Sequence, residues 1–215
     1  MQSRVLVIRH SERDKANEKD PQALTDCGEV IAFVMGVFVR VFNFHFVDYV
    51  SSPQPRCWRT LIVLVRGICG YKPAIEPDIA HDPRLDDFST DKRDIVSEGL
   101  KAAKAHAKTA EITVEAAIME TAPEAVDIKS SEMLEVIDER GAVEGDHLVT
   151  VHGAAIDGAA IKLSNRLGAN LPMTMDAIEG QLQYCEGFLA TFEDGKIVEI
   201  EILRLSEDWY GIAIP

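Results

Sequence analysis

Short apolar runs and helical periodicities alternate along the first part of the chain. Residues 4–8 are β-rich and apolar after the leading arginine, which predicts a buried strand. The polar stretch 11–22 predicts a loop, after which Thr25 or Asp26 can cap a helix and Glu29 can complete a capping box on Asp26. Apolar residues then recur at i, i+3, i+4 and i+7, and the predicted buried face consists of Ile31, Val34, Met35 and Phe38.

A second strand and a second helix follow in the same order. Residues 46–50 predict the strand, which ends at Ser51-Ser52-Pro53, and the helix starts near Pro55. The inward side of this helix is expected to carry Thr60, Leu61 and Leu64. Strand, helix, strand, helix is typical of a parallel sheet with helical crossovers.

The composition changes between residues 91 and 140, which are rich in Ala, Glu and Lys and contain no convincing strand. Gly99 and Pro123 interrupt this stretch, so we expect a helical insertion made of several helices. Residues 147–151 are strand-like again and end at His152-Gly153, and a helix is expected over about residues 156–166.

The last predicted element is a β-hairpin. Residues 188–192 and 197–203 flank Asp194-Gly195, which is a good two-residue turn. In the second of these strands, Val198, Ile200 and Ile202 alternate with glutamates, so one face of the ribbon is expected to be wet.

Charge and length narrow the class of partner. The 215 residues carry 22 Lys and Arg against 36 Asp and Glu, a formal charge of −14. Such a surface repels nucleic acid and anionic membranes, so we expect neither as a partner, although a small anion can enter a locally basic pocket. No signal-peptide pattern, bilayer-length apolar run or CxxC spacing is found, which predicts a soluble cytoplasmic protein with reduced cysteines.

Polar residues of a matching kind follow three of the predicted strands. Arg9-His10 follows the first, Arg56 comes shortly after the second, and His152-Gly153 follows the strand at 147–151. Because ligands of open α/β sheets bind beyond the carboxyl ends of the strands, we expect a compact cationic pocket there. Each arginine offers a planar fork of donors that matches phosphate oxygens. The chain has no P-loop motif, and His10-x-Glu12 lacks the PCxxC of zinc deaminases, so no metal is expected.

Four short motifs occur in order along the chain: Arg9-His10-Ser11, Leu24-Thr25-Asp26-Cys27-Gly28, Ser51-Ser52-Pro53-Gln54-Pro55-Arg56 and His152-Gly153. They resemble the R-H-G, L-T-x-x-G, S-S-P-x-x-R and H-G motifs of the histidine phosphatase (phosphoglycerate mutase-like) superfamily. The resemblance spans roughly residues 4–203, and residues 9–14 are most similar to the R-H-G-E-R-x-D members. One departure is Ser11, which replaces the usual glycine and restricts the backbone there.

This resemblance implies a phosphatase that uses a covalent intermediate. Neutral His10 would attack phosphorus and form a phosphohistidine, which water then hydrolyses. Arg9, Arg56 and His152 would stabilise the charge on the transferring group, so that no metal or other cofactor is needed. The residues expected to contact the phosphate are Arg9, Arg56, His152, Ser11 and Gly153.

The resemblance also implies a carboxylic acid that protonates the leaving group, usually a Glu in an L-x-E stretch before the insertion. In Arg84-Leu85-Asp86-Asp87-Phe88 the motif position is held by Asp87, a shorter side chain. Asp86 remains an alternative.

Three functions remain open at this point. The first is hydrolysis of a small phosphorylated substrate. A phosphoglycerate-type mutase would need additional basic residues at the pocket mouth, and 22 Lys and Arg in an acidic chain give little sign of them. A non-catalytic phosphate-binding scaffold is kept open by Ser11 and the uncertain acid. The sequence does not identify the substrate, and it leaves a homo-oligomer open.

Pattern and resemblance together predict an α/β fold. We expect a three-layer α/β/α arrangement around a mostly parallel sheet, with a small helical insertion at about residues 91–140. We also expect residues 1–215 to form a single domain.

Overall fold

A six-stranded sheet with helices on both faces is the main feature of the computed structural model, which describes residues 1–17, 20, 22–70, 77–86, 92–174 and 178–205. The strands are β1 (Gln2–Arg9), β2 (Phe46–Ser51), β3 (Ile79–His81), β4 (Gly145–Val151), β5 (Gly187–Glu193) and β6 (Lys196–Leu203). The helices are α1 (Asp26–Val39), α2 (Pro55–Cys69), α3 (Arg93–Ala110), α4 (Val114–Thr121), α5 (Pro123–Gly141) and α6 (Gly153–Arg166).

The sheet has the strand order β3-β2-β4-β1-β5-β6. Neighbours among β1 to β4 run parallel, and β5 and β6 add an antiparallel ribbon at one edge. In the central pair, Val7 of β1 lies opposite Val149 of β4. The carboxyl ends of β2, β4 and β1 therefore lie side by side, which is the arrangement expected for a pocket formed by the residues that follow these strands.

Strand β1 separates two hydrophobic cores. Val5 and Val7 pack into the core shared with α5 and α6, whereas Leu6 and Ile8 pack into the core shared with α1 and α2. All four side chains are buried. Because successive strand residues face opposite sides, a wholly apolar strand is buried on both faces. The predicted three-layer α/β/α class with a mostly parallel sheet is confirmed.

The helix pair α1 and α2 packs with its backbones in contact. A Cβ atom on Gly36 would lie 2.2 Å from the carbonyl oxygen of Leu64 and 3.0 Å from the Cα of Gly67. This contact sets the rotation of α1. Its buried side is consequently Ile31, Ala32, Met35, Gly36 and Val39.

The predicted buried face of α1 is therefore only partly correct. Ile31 and Met35 are buried, but Val34 is half-buried and Phe38 is 38% exposed. The i, i+3, i+4, i+7 pattern was built on large apolar residues and did not include Ala32 and Gly36. These residues have little apolar surface, but their small size allows the closest contact between the helices. In α2, Thr60, Leu61 and Leu64 are buried as expected.

The N-terminus of α1 is capped by Thr25. Its Oγ1 accepts a hydrogen bond from the Gly28 amide at 2.8 Å. Asp26 is thus the first helical residue, and the predicted capping box between Asp26 and Glu29 is wrong. Thr25 lies at the capping position because its backbone is extended there.

Helices α3, α4 and α5 occupy most of the stretch expected to be an insertion. Gly99 lies inside α3 and does not end it, because a small residue is needed where α3 meets Ala122: a Cβ on Gly99 would lie 2.8 Å from the Ala122 Cβ. Pro123 begins α5 as expected. Val136 and Ile137 of α5 lie in the same core as β1, so α5 forms part of a main layer.

The hairpin of β5 and β6 turns at Asp194 and Gly195, whose φ angles of 50° and 72° fit the expected turn. The pairing register shifts between Thr191 and Phe192, which pair with Glu199 and Ile197. Val198 between them has no partner in β5, and the alternation of inward and outward side chains is interrupted there. Val198 is 44% exposed, so its predicted inward orientation is wrong. Among the described helices, none combines the length and the apolar character needed to cross a membrane.

Candidate active site

Four side chains predicted for the pocket meet at the carboxyl ends of the central strands. Arg9 is the last residue of β1 and His10 follows it, while His152 follows β4. Arg56 lies in the first turn of α2, after β2. The ring centroids of His10 and His152 are 5.5 Å apart.

Arg56 joins the two histidines. Its Nε donates to His10 Nε2 at 3.2 Å. Its Nη2 lies 2.9 Å from His152 Nδ1, and its Nη1 donates to the side-chain oxygen of Gln22 at 2.9 Å. One guanidinium thus uses three separate donors on three acceptors. A lysine could not span the same points, because its charge is held on a single nitrogen.

The backbone fixes the tautomer of His10. Its Nδ1 lies 2.7 Å from the carbonyl oxygen of Ser11, and a carbonyl can only accept a hydrogen bond, so Nδ1 carries the proton. The lone pair is therefore on Nε2, where Arg56 donates. In His152 the tautomer is the opposite one. Nδ1 accepts from Arg56, and Nε2 donates to Ser52 Oγ at 2.8 Å.

Both histidines are held neutral. Burial lowers the pKa of His10 well below 6.5, and the neighbouring charges of His152 and Arg56 lower it further. Burial likewise lowers the pKa of His152, followed by the positive charges of Arg56 and Lys129. A buried neutral imidazole with a fixed lone pair is a nucleophile at neutral pH.

The S-S-P-x-x-R motif and Thr60 position these groups. Ser52 holds His152, and Pro55 begins the helix that carries Arg56. Thr60 Oγ1 donates to the carbonyl oxygen of Arg56 at 2.6 Å and accepts from the amide of Ser11 at 2.9 Å. The backbone beside His10 is thus tied to the helix that carries Arg56.

The L-T-x-x-G motif holds the loop after β1. Thr25 Oγ1 donates to the Glu12 carboxylate at 2.9 Å, and a Cβ on Gly28 would lie 2.4 Å from the Glu12 carbonyl oxygen. Glycine is needed there for this close approach. Ser11 is fully buried, and its Oγ donates to the Gly28 carbonyl at 2.6 Å. The side chain of Ser11 is thus directed towards α1, and its predicted contact with phosphate stays a prediction.

Arg9 is 4% exposed and has partners from two distant segments. Nη1 donates to the Leu182 carbonyl at 2.6 Å, and Nη2 donates to Glu115 of α4 at 2.6 Å. The Tyr184 ring lies over the guanidinium, 4.8 Å from Cζ to the ring centroid. A Cβ on Gly153 would lie 2.8 Å from Glu115 Cγ, so glycine at the start of α6 allows Glu115 to reach Arg9.

A second carboxylate, that of Asp157, lies near the ion pair of Arg9 and Glu115. Asp157 of α6 is fully buried and accepts from the amide of Leu182 at 2.9 Å. Burial raises its pKa to about 6, although the Leu182 amide and Arg9 act against the rise. Leu182 is thereby held from both sides, by Arg9 through its carbonyl and by Asp157 through its amide.

The candidate site contains a cavity of about 630 Å³. Arg9, His10, Arg56, His152 and Gly153 all contribute to its lining, and Ser11 does not. Further basic residues of the lining are Arg13, Lys15, Lys104 and Lys129. The expectation of few basic residues at the mouth is therefore wrong. Composition could not reveal them, because the fold collects them from the loop after β1 and from α3 and α5.

Structural comparison with known proteins gives matches over nearly the whole chain. Phosphoglycerate mutase from Bacillus anthracis has a TM-score of 0.60 at 15% identity, with 99% of this chain and 96% of that chain covered. A mycobacterial glucosyl-3-phosphoglycerate phosphatase has 0.52 at 15% identity, with 93% and 96% covered. The putative phosphohistidine phosphatase SixA from Agrobacterium tumefaciens has 0.53 at 13% identity, with 92% and 96% covered. No family model matches the chain, and no curated protein matches it significantly.

The chain has the histidine phosphatase fold. The likeness expected from four short motifs is thereby confirmed for the architecture. At these identities the likeness concerns the fold alone, and the reaction has to be argued from the site.

Of the two carboxylates considered as the acid in this histidine phosphatase fold, Asp87 lies outside the described residues. Asp86 accepts a hydrogen bond at 3.0 Å from the side-chain amide of Gln54, which itself lines the cavity. Glu115 is the one acidic side chain among the described lining residues. Sequence reasoning missed Glu115 because it lies in α4, whose packing against α3, α5 and α6 has no local signature.

No cluster of three or more His, Cys, Asp or Glu residues within the described ranges is arranged to hold a metal ion. Two guanidinium groups, those of Arg9 and Arg56, lie beside the two histidines in this cavity, and guanidinium groups attract anions. The geometry therefore points to an oxyanion ligand such as phosphate.

The pKa values of three buried histidines are shifted in opposite directions. That of His147 is raised, and those of His10 and His152 are lowered. For His147 of β4, burial opposes protonation, but hydrogen bonds to Asp48 and the Val143 carbonyl outweigh it and raise its pKa. In an NMR titration of the imidazole resonances, His147 should have its midpoint above 6.5, and His10 and His152 should remain neutral well below 6.5. A midpoint for His10 at or above 6.5 would contradict the electrostatic account of the site.

Proposed function

We propose that this protein hydrolyses phosphomonoesters through a phosphohistidine formed on His10. The observation that carries the proposal is the fixed lone pair of His10 Nε2, which faces Arg56 and lies beside Arg9 and His152. A neutral imidazole held by a backbone carbonyl keeps its ring orientation during the attack on phosphorus, and the Arg56 donor is the group that has to leave its lone pair.

In the first half of the reaction, the lone pair of His10 Nε2 forms a bond to phosphorus. The bond between phosphorus and the ester oxygen breaks, and its electron pair leaves with the alkoxide. A carboxylic acid supplies the proton that converts the alkoxide to the alcohol. Asp87 is proposed as this acid on its position in the motif.

In the second half, water attacks the phosphorus of the phosphohistidine. The bond between Nε2 and phosphorus breaks, and its electron pair returns to the imidazole. The carboxylate formed in the first half takes the proton from the water, which restores the starting enzyme and releases phosphate.

The charge that develops on the equatorial oxygens of phosphorus is stabilised by Arg9 and Arg56, and by His152 once its Nε2 N–H, which donates to Ser52 in the free site, donates to a phosphate oxygen instead. Arg56 changes partner in this step, and its Nε donates to a phosphate oxygen instead of His10 Nε2. The Arg9 guanidinium is held in place by Glu115 and the Leu182 carbonyl and needs little reorganisation, which favours the transition state over the free ester.

A mutase is the second candidate, and the additional basic residues of the cavity favour it. Two of them, Lys15 and Lys104, are exposed, and such side chains attract an anion more than they hold it in one position. Lys129 is buried, but its Nζ donates to the Arg84 carbonyl and pairs with Glu132. We therefore propose hydrolysis as the main reaction.

Turnover should be measured on p-nitrophenyl phosphate and a panel of phosphate esters, with EDTA present. We expect phosphate release by the native protein and a loss of about a thousandfold or more in His10→Ala, since the nucleophile is removed. The matched control is His45→Ala, which changes an exposed histidine before β2 and should keep native activity.

Two outcomes would replace this proposal. Equal turnover by the native protein and His10→Ala on every ester would leave a phosphate-binding scaffold. Conversion of 3-phosphoglycerate to 2-phosphoglycerate faster than any ester is hydrolysed would favour the mutase.

The acid is tested by the leaving group. Asp87→Asn should lower kcat for alkyl phosphates by about a hundredfold or more and for p-nitrophenyl phosphate by much less, because p-nitrophenolate leaves without a proton. Asp86→Asn is the matched comparison, and Glu115→Gln tests the carboxylate beside Arg9. An equal loss of kcat on both substrates, or no loss, would move the role of acid away from Asp87.

A further inference from the structure

Apolar side chains from the helices form part of the lining of the cavity. We call the following six side chains the apolar wall: Val96, Leu100, Ile112, Val114, Ile118 and Val126. They come from α3, the turn after it, α4 and α5. None of them comes from the strand ends that carry the proposed chemistry, so the wall is a separate contribution of the helices.

On each of two helices the wall residues lie on one face, and that face lines the cavity. On α3, Val96, Leu100 and Lys104 follow at i, i+4 and i+8, and all three line the cavity. On α4, Val114 and Ile118 follow at i and i+4. Side chains at these spacings lie above one another on one face of a helix. The wall is therefore a continuous surface along two helices.

Most of the wall is only half-buried. Leu100, Ile112, Val114 and Ile118 have intermediate exposure, whereas Val96 and Val126 are buried. Ile118 packs against the apolar clusters of the helices on one side and faces the cavity on the other. Apolar surface left facing a cleft gains free energy when a ligand covers it.

The cavity has room for more than a phosphate group. A cavity of about 630 Å³ lies in the range of pockets that enclose a whole small molecule. With the phosphate held by His10, Arg9 and Arg56, the rest of the molecule lies against the remaining lining, which consists of the apolar wall and of further basic and polar residues. Hydroxyl groups placed against valine, leucine and isoleucine would lose their hydrogen bonds to water without replacement.

We propose that the substrate is the phosphomonoester of an apolar alcohol, whose body packs against the apolar wall. This inference rests on the proposed function, and it adds the class of leaving group. Lys104 lies eight residues along α3 from Val96, about 12 Å. The wall therefore has a limited length, and an apolar body longer than the wall gains nothing further.

Binding of alkylphosphonates tests this inference without requiring hydrolysis. Calorimetry on the full chain with methyl-, butyl- and octylphosphonate should show Kd falling by about two- to fourfold for each added methylene group. The gain should level off once the alkyl chain outgrows the wall. Turnover of p-nitrophenyl phosphate by the same preparation reports the proposed function separately.

Two matched variants locate the effect. Leu100→Gln replaces a wall residue, and its loss of affinity should grow with the length of the alkyl chain. Leu167→Gln makes the same replacement at a leucine that is 41% exposed and does not line the cavity, and it should keep the native dependence on length.

Three results would overturn the inference. One is an affinity that does not change from methyl- to octylphosphonate. Another is tighter binding of a phosphonate with a carboxylate at its far end than of an alkylphosphonate of equal length, which would mean that the basic residues, not the wall, select the ligand. The third is the same length dependence in Leu100→Gln as in the native protein. In each case hydrolysis of p-nitrophenyl phosphate could still stand.

Discussion

Burial of the Arg9 guanidinium is the constraint on which the site depends. A cation taken out of water costs several kcal/mol unless charged and polar partners replace the water. Arg9 lies at the end of the central strand, and its partners are Glu115 of α4 and the carbonyl of Leu182. Helix α4 and the segment before β5 must therefore pack over the carboxyl end of β1. Gly153 permits the close approach that this closure needs.

The same burial sets the chemistry of the histidines. Burial of His10 and His152 is the main factor that disfavours their protonation, and the guanidinium groups of Arg56 and Arg9 add to the effect. Six of the 22 Lys and Arg residues lie among the described lining residues of this cavity, beside one glutamate, in a protein whose net charge is −14. We propose that this net charge repels a long polyanion, whereas a single phosphate group can enter the cavity and reach Arg9 and Arg56.

How far the sequence predicts the structure depends on whether the signal is local. The strand ends, the turn at Asp194-Gly195 and the convergence of Arg9, Arg56 and the two histidines follow from periodicity and short motifs. The buried face of α1 depends on the contact between Gly36 and Gly67, which lies 31 residues away in sequence. Glu115, Lys104 and Lys129 are likewise brought to the site by helix packing, and single-sequence patterns carry no trace of such contacts.

The central claim is that His10 carries the phosphoryl group during turnover. The direct measurement is rapid mixing with p-nitrophenyl phosphate, quenching in alkali and mass spectrometry of the digested protein. Our account predicts one phosphoryl group on the peptide with His10, formed before steady state and absent from the peptide with His152. Steady turnover with no phosphoryl group on His10, or with the group on another residue, would contradict it.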